Sequence, residues 1–332
     1  MDRTFRALVV DKQGDGVSLS EQDWTEADLL PGEVMIRVAY SSVNYKDALA
    51  VRADGRVARR YPLVPGIDLA GTVVQSKDPR HPPGEEVIVH GYDLGVSHHG
   101  GYAELARVPT DWVVPRPEGM SLRQAMALGT AGFTAALSVA RLEHMGLRPE
   151  RGTVLVTGAS GGVGSIAIAM LAARGYRVAA STGSTETHEY LRELGAQEIV
   201  DRGETSATAE RPLERERWAG AVDAVGGSTL AYLLRTTATG GSIALSGNVG
   251  GAAVSTSVFP FILRGVSVLG IDSVHVPLAE RTTLWQRMAQ DLRPRLLDES
   301  IAREVTLAQT PAALEDIYRG ATRGRVVVRV SP

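Results

Sequence analysis

Hydrophobic and polar positions follow two different rhythms along this chain. Up to about Leu122 the apolar residues come in short runs of β type. Examples are Arg6-Ala-Leu-Val-Val10, Glu33-Val-Met-Ile-Arg-Val38, Gly71-Thr-Val-Val74 and Glu86-Val-Ile-Val89. Turn signals such as Leu30-Pro31-Gly32 and His81-Pro82-Pro83-Gly84 separate them, a pattern that predicts an irregular, barrel-like β domain. From about Ala125 to Ile271 strands alternate with helices. Thr153-Val-Leu-Val-Thr157 is continuously apolar, as expected of a strand buried on both faces of a parallel sheet. Val163 to Arg174 reads as a helix, Tyr176-Arg-Val-Ala-Ala180 as a strand, and Thr185 to Leu194 as a helix closed by Gly195. Glu198-Ile-Val200, Ala221-Val-Asp-Ala-Val225, Ser242-Ile-Ala-Leu-Ser246 and Val266 to Ile271 supply further strands. Strands joined by crossover helices predict a doubly wound α/β sheet. A helix from Ala279 to Leu292 follows, then β runs ending in Gly324-Arg-Val-Val-Val-Arg-Val330.

The expected division is 1–125 for the β-rich domain, 126–271 for the sheet-and-helix domain, and 272–332 for a return to the first. The cleft between two such domains is the default active site. At 332 residues and 44% hydrophobic content, the chain can build a core in each. A net charge of −3 with no basic stripe argues against nucleic acid as a partner. The opening MDRTFRALVV lacks an apolar signal region, and no uninterrupted apolar run reaches membrane-spanning length; a cytoplasmic protein without a membrane partner is expected. With 0 cysteines, disulfides, thiolate nucleophiles and cysteine zinc sites are excluded. The chemistry must come from a cofactor, from carboxylates, amides and hydroxyls, or from the 7 histidines.

The strongest motif is Thr157-Gly158-Ala159-Ser160-Gly161-Gly162-Val163-Gly164, which follows one predicted strand and opens a helix. Glycines there permit a tight turn and close approach to a pyrophosphate, while the helix N-terminus offers free N–H groups and a positive dipole end. A dinucleotide site preferring NAD usually carries an acid at the end of the second strand to bind the ribose 2′-OH. Here that strand runs into Ser181-Thr182-Gly183-Ser184, and the first acid is Glu186. Small hydroxyl residues leave room for a 2′-phosphate, and Arg202, after the third strand, offers a charge for it. The expected cofactor is NADPH.

At this point the chain resembles the medium-chain dehydrogenase/reductase superfamily, and within it the zinc-free, quinone oxidoreductase-like branch nearest acrylyl-CoA reductases. The matching strings include Ser42-Val-Asn-Tyr-Lys-Asp-Ala-Leu-Ala50, Val64-Pro-Gly-Ile-Asp-Leu-Ala-Gly71 and Gly129-Thr-Ala-Gly-Phe-Thr-Ala135. Pro260-Phe-Ile-Leu-Arg264 and Gly270-Ile-Asp-Ser273 extend them towards the C-terminus. The resemblance implies a GroES-like catalytic domain around a Rossmann domain, a homodimer or higher homo-oligomer, and reduction of acryloyl-CoA to propanoyl-CoA. By position it implies cofactor contacts from Tyr45, Thr130, Ser160, Gly161, Gly162, Val163, Thr182, Gly183, Ser184, Arg202, Asn248, Ile262 and Ser273. Ser184 stands where relatives often carry a basic residue, and Asn248 where an apolar one is expected.

Zinc-dependent relatives carry Gly-His-Glu where this chain has Gly66-Ile67-Asp68, and Ile67 cannot bind a metal. Hydride transfer to an enoyl thioester then needs donors for the developing oxyanion and a proton for the α-carbon. Asn44, Tyr45, Lys46 and Asp68 are the candidates. Asn44 can orient substrate or donate to its carbonyl. Tyr45 can supply the proton or cover the nicotinamide, and Asp68 can orient Asn44 or Lys46. Equally, Asn44 and Asp68 can cap local turns. Arg59 and Arg60, on a loop with Arg52 and Arg56, can hold coenzyme A phosphates or be solvated surface charges. Trp285 is expected in helix packing, with Arg281 and Arg287 at the surface. Two other functions stay open: an NADPH-dependent quinone or enone reductase, and an NADPH-binding sensor or scaffold without turnover.

Overall fold

The computed structural model describes residues 4–331 apart from 15 and 210. It divides into two compact units. One runs to Thr130 and includes Val274–Ala289 and the chain from Leu297; the other holds Ala131–Ser273 and Gln290–Leu296. The change of unit falls at Thr130 rather than at 125. It lies within the helical stretch Leu122–His144, which Gly129 interrupts with φ +52°. Gln290–Leu296 goes with the second unit, where Asp291 pairs with Arg174 at 3.3 Å.

In the first unit Phe5–Gln13 pairs antiparallel with Gly16–Trp24. A separate 7-stranded sheet runs in the order Ala302–Thr306, Arg325–Arg329, Val34–Val43, Asp68–Ser76, Glu86–His90, Val113–Pro115, with Leu105–Val108 also paired to Val34–Val43. Register shifts between Met35 and Ile36 and between Val38 and Tyr40 bend the long strand, as bulges do. Its inner face packs Ile36, Val38, Leu69, Val73, Val87 and Val89 into one core. The last strand of the chain, Arg325–Arg329, lies antiparallel to Val34–Val43 with Val327 opposite Ser42. The C-terminus therefore returns to the first unit, and it brings Arg325 beside the Ser42–Asn44 segment.

The second unit holds 6 parallel strands in the order Glu198–Asp201, Arg177–Thr182, Thr153–Val156, Trp218–Asp223, Thr237–Leu245, Ser267–Gly270. In chain order this is 3-2-1-4-5-6, the doubly wound arrangement with its switch between the first and fourth strands. Trp218–Asp223 is buried along its whole length, as a central parallel strand must be. Two boundaries differ from the sequence reading. The second strand extends to Thr182, so Ser181 and Thr182 end a strand rather than open a turn. The fourth stops at Asp223, whose carboxylate accepts the N–H groups of Val225 and Gly226 and bends the chain there.

Candidate active site

The glycine-rich turn leads from Thr153–Val156 into the helix Gly162–Ala173, with Gly161 as its N-cap. A Cβ on Gly164 would lie 2.4 Å from the Gly158 carbonyl oxygen, so the helix reaches the turn only because that position is bare. Fully buried Asp223 fixes the opposite wall. It accepts the Thr157 hydroxyl at 2.5 Å and the Val225 N–H at 2.9 Å. Burial raises its carboxyl above the ordinary range, and the Thr157 hydroxyl and the Val225 and Gly226 N–H groups pull it back down.

Between these walls lies a cavity of about 410 Å³ at the carboxyl ends of the strands. Four of the expected cofactor residues, Ser160, Thr182, Gly183 and Arg202, line it, joined by Thr205 and Ser206, which the sequence reading missed. Gly161, Gly162 and Val163 form the helix cap and first turn just past Ser160. Ser184 donates its N–H to the Thr182 hydroxyl at 3.2 Å. Asn248 is exposed on the loop whose Val249 and Gly250 line the cavity. The cavity does not include Ile262 or Ser273. Ile262 is 67% exposed on the helix Phe259–Arg264. Tyr45 and Thr130 belong to the first unit.

The hydroxyl-lined wall and the Arg202 cation, which makes no hydrogen bond or ion pair among the described residues, suit a dinucleotide with a 2′-phosphate. For zinc the residues present do not fit. Ile67 is buried, and among the described residues no three His, Asp or Glu side chains converge. His99 is packed edge-on to Trp24 at 4.9 Å, and its Nδ1 accepts the Val64 N–H at 3.3 Å. Burial brings its pKa down to about 4, which keeps it a neutral acceptor near neutral pH.

In the first unit the expected catalytic residues do not form one exposed set of donors. Asn44 and Asp68 are buried in a cluster with Ser42, Asp47, Thr130 and Arg325. Asn44 Nδ2 donates to Asp68 Oδ2 at 2.8 Å and to Asp47 Oδ2 at 3.2 Å, while its Oδ1 accepts from Arg325 at 3.1 Å. Asp68 also accepts from the Ser42 hydroxyl and from the N–H and hydroxyl of Thr130. Both ends of the Asn44 carboxamide are thus engaged inside the protein. Asp68 therefore holds Asn44 in place, the orienting role expected of it, and the Asn44 carboxamide spends its donors and acceptor on this cluster. The Thr130 hydroxyl donates to Asp68 Oδ1.

Asp47 accepts the N–H of Asn44 at 2.9 Å and of Ile67 at 2.9 Å, closing the start of the helix Tyr45–Ala50. Burial, helped by the charge on Asp68, pushes its carboxyl up to about 7. Arg325 is 2% exposed and donates to the Val43 and Ala127 carbonyls, to Asn44 and to Ser42. It stands 3.8 Å from Asp68 Oδ2. A charged residue opening the apolar run Arg325-Val-Val-Val328 was a signal for it. Arg281 also differs from expectation: it is fully buried, donating to the His90 and Val274 carbonyls at 2.9 Å.

Tyr45 alone of the set presents its ring outward. It is 42% exposed and lies parallel to Tyr318, ring centroids 6.2 Å apart. Arg52 rests 3.6 Å over the Tyr318 ring and pairs with Glu315 at 2.6 Å. Lys46 is half-buried beside Tyr45, and Arg59 and Arg60 are exposed.

Residues 30–118 match the alcohol dehydrogenase GroES-like domain, and residues 162–290 match the zinc-binding dehydrogenase family. The putative quinone oxidoreductase YhfP of Bacillus subtilis is 52% identical over 99% of this chain and 100% of its own. The acrylyl-CoA reductase AcuI of Ruegeria pomeroyi is 51% identical over 98% and 99%. Among solved structures, the yhdH oxidoreductase of Salmonella enterica in complex with NADP superposes with a TM-score of 0.96 at 47% identity, covering 98% of this chain and 100% of that one. The Bacillus subtilis YhfP structure, with NAD bound, gives a TM-score of 0.96 at 53% identity, covering 98% and 99%.

Proposed function

Because the chain belongs to the medium-chain dehydrogenase/reductase superfamily, in the branch of acrylyl-CoA reductases and quinone oxidoreductases, we propose that it reduces the activated C=C bond of an α,β-unsaturated acyl-CoA, acryloyl-CoA giving propanoyl-CoA. The cofactor is NADPH, which supplies the hydride when bound. The observation that carries the cofactor assignment is the unpaired Arg202 guanidinium beside Thr182 and Gly183, at a strand end without an acid. Ser160 and the turn that follows it hold the pyrophosphate by backbone N–H groups at a helix N-terminus.

The chain's own chemistry rests on Tyr45. Its phenol is an exposed donor on a helix whose first turn is fixed by Asp47 and the buried cluster. We assign it the hydrogen bond to the thioester oxygen or the proton for the α-carbon; Lys46, next along, is the second donor. Asn44 and Asp68 hold this segment rather than touching substrate. Arg59 and Arg60 are the cations for the coenzyme A phosphates.

The reading is tested by NADPH consumption with acryloyl-CoA, acrolein and a naphthoquinone. The highest kcat/KM is expected for acryloyl-CoA, with a lower KM than acrolein, which carries no phosphates. Preference for the naphthoquinone overturns the substrate assignment. NADPH binding without turnover on any of the three makes the protein a cofactor-binding sensor.

Arg202→Ala is expected to weaken NADPH about tenfold or more while leaving NADH nearly unchanged, since charge-assisted contacts contribute roughly 1.5–3 kcal/mol. Titration calorimetry with both cofactors measures this. Equal losses for the two would remove Arg202 from the 2′-phosphate.

We further propose a homodimer. Val258, Phe259, Phe261, Ile262 and Leu263 are exposed on and before one short helix, with Leu263 at 62%. They adjoin in sequence the edge strand Ser267–Gly270, which pairs on one side with Thr237–Leu245. Soluble monomers rarely expose such a patch. Sedimentation should give a dimer for the wild type and a monomer for Ile262→Glu/Leu263→Glu; a wild-type monomer at micromolar concentration would refute the assembly.

A further inference from the structure

Arg202 begins the short helix Arg202–Ser206, and its guanidinium lies across the end of the strand Arg177–Thr182. A Cβ built on Gly183 would sit 2.7 Å from Nε, 2.8 Å from Cζ and 2.9 Å from one terminal nitrogen of Arg202. Side-chain carbons do not approach heavy atoms so closely. The guanidinium therefore rests on the bare Cα of Gly183, in space that any side chain at that position would fill.

The acids nearby leave this cation alone. Asp201 turns its carboxylate back to the Gly203 N–H at 2.6 Å, which caps the helix. Glu204 takes Arg217 and the Tyr232 hydroxyl. Arg202 is thus a cation held by its seat on Gly183 rather than by a counter-charge.

We propose that Gly183 determines cofactor specificity by a steric route: the missing Cβ is what lets Arg202 lie over the strand end, where it meets a 2′-phosphate. This rests on the NADPH reading above and adds to it. The missing acid explains why a 2′-phosphate is not repelled; the missing Cβ decides where the attracting charge sits. The backbone at Gly183 is not in the left-handed region, so an alanine fits the chain without strain. The contacting atoms are the far end of a flexible side chain. The adjustment therefore falls on Arg202, with little effect on stability and a selective effect on affinity.

The experiment compares the wild type with Gly183→Ala, Gly183→Ser, Arg202→Ala and the double variant Gly183→Ala/Arg202→Ala. Dissociation constants are measured by calorimetry for NADPH, NADH, 2′,5′-ADP and 5′-AMP, with thermal midpoints as a check on folding. Gly183→Ala is expected to weaken NADPH and 2′,5′-ADP roughly tenfold, the scale of one charge-assisted contact, and to spare NADH and 5′-AMP. Gly183→Ser should do the same. In the Arg202→Ala background the added Gly183→Ala should have no further effect, because the displaced group is already gone. Equal losses for NADPH and NADH, or a tenfold loss that persists without Arg202, overturn the proposal. If Arg202→Ala by itself leaves NADPH binding unchanged, the 2′-phosphate reading has failed and the proposal falls with it; that single-variant result separates the two failures.

Discussion

Arg325→Met is expected to cost the first unit about 3–5 kcal/mol of stability, the scale seen when one partner of a buried ion pair is removed. The guanidinium is the cation 3.8 Å from fully buried Asp68 Oδ2, with Asp47 also buried in the same cluster. Its removal leaves carboxylate charge in a low-dielectric interior and strands the Val43 and Ala127 carbonyls it serves. Urea unfolding followed by a probe in the first unit measures the loss. Adding Asp68→Asn should recover part of it, since the stranded charge is then gone. A loss under about 1 kcal/mol, the range of solvent-exposed pairs, would mean that water reaches the cluster.

The same cluster sets a pH dependence. Asp47 has its folded pKa raised to about 7 from an unfolded 3.8, so the folded state binds the extra proton between those values. Its favourable contribution is fully present below about pH 4 and is lost as pH rises through about 7. Asp47→Asn should flatten that part of the stability profile.

Tyr45→Phe is expected to lower kcat on acryloyl-CoA by ~10²–10³, the usual cost of one donor lost at a developing oxyanion. NADPH affinity and thermal midpoint should hardly move, because the phenol is exposed and the ring keeps its packing on Tyr318. An interaction made mainly in the transition state appears in kcat rather than in KM alone. Asn44→Ala should behave differently. Its carboxamide ties Asp68, Asp47 and Arg325 together, so kcat and stability should fall in step. If Tyr45→Phe keeps kcat within a few-fold of wild type on an intact fold, the phenol is not the donor, and Lys46 becomes the residue to replace.

Local pattern carried much of this. A short apolar run of four or five residues between turn signals fits a strand buried on both faces, and a glycine-rich turn between such a strand and a helix brings backbone N–H groups to one point. From Thr153-Val-Leu-Val and Gly158–Gly164 the doubly wound sheet and its glycine-rich turn were therefore readable, as was the absence of an acid after Ser181-Thr182. Those properties depend on residues within a few positions of one another.

Tertiary structure decided what depends on distant residues meeting. Nothing near Asn44 or Asp68 in sequence says that Arg325, 281 residues from Asn44, lies against them. That contact follows from pairing the last strand with Val34–Val43, and it encloses both side chains in one buried cluster. Burial also decided Arg281, which reads as a surface charge on its helix yet is enclosed. It is the fold, too, that lays Arg202 on Gly183. A pattern of types along a chain records which side chains can bond or bury; only the packed chain sets which of them still face outward, because each polar group taken inside must find its partner there.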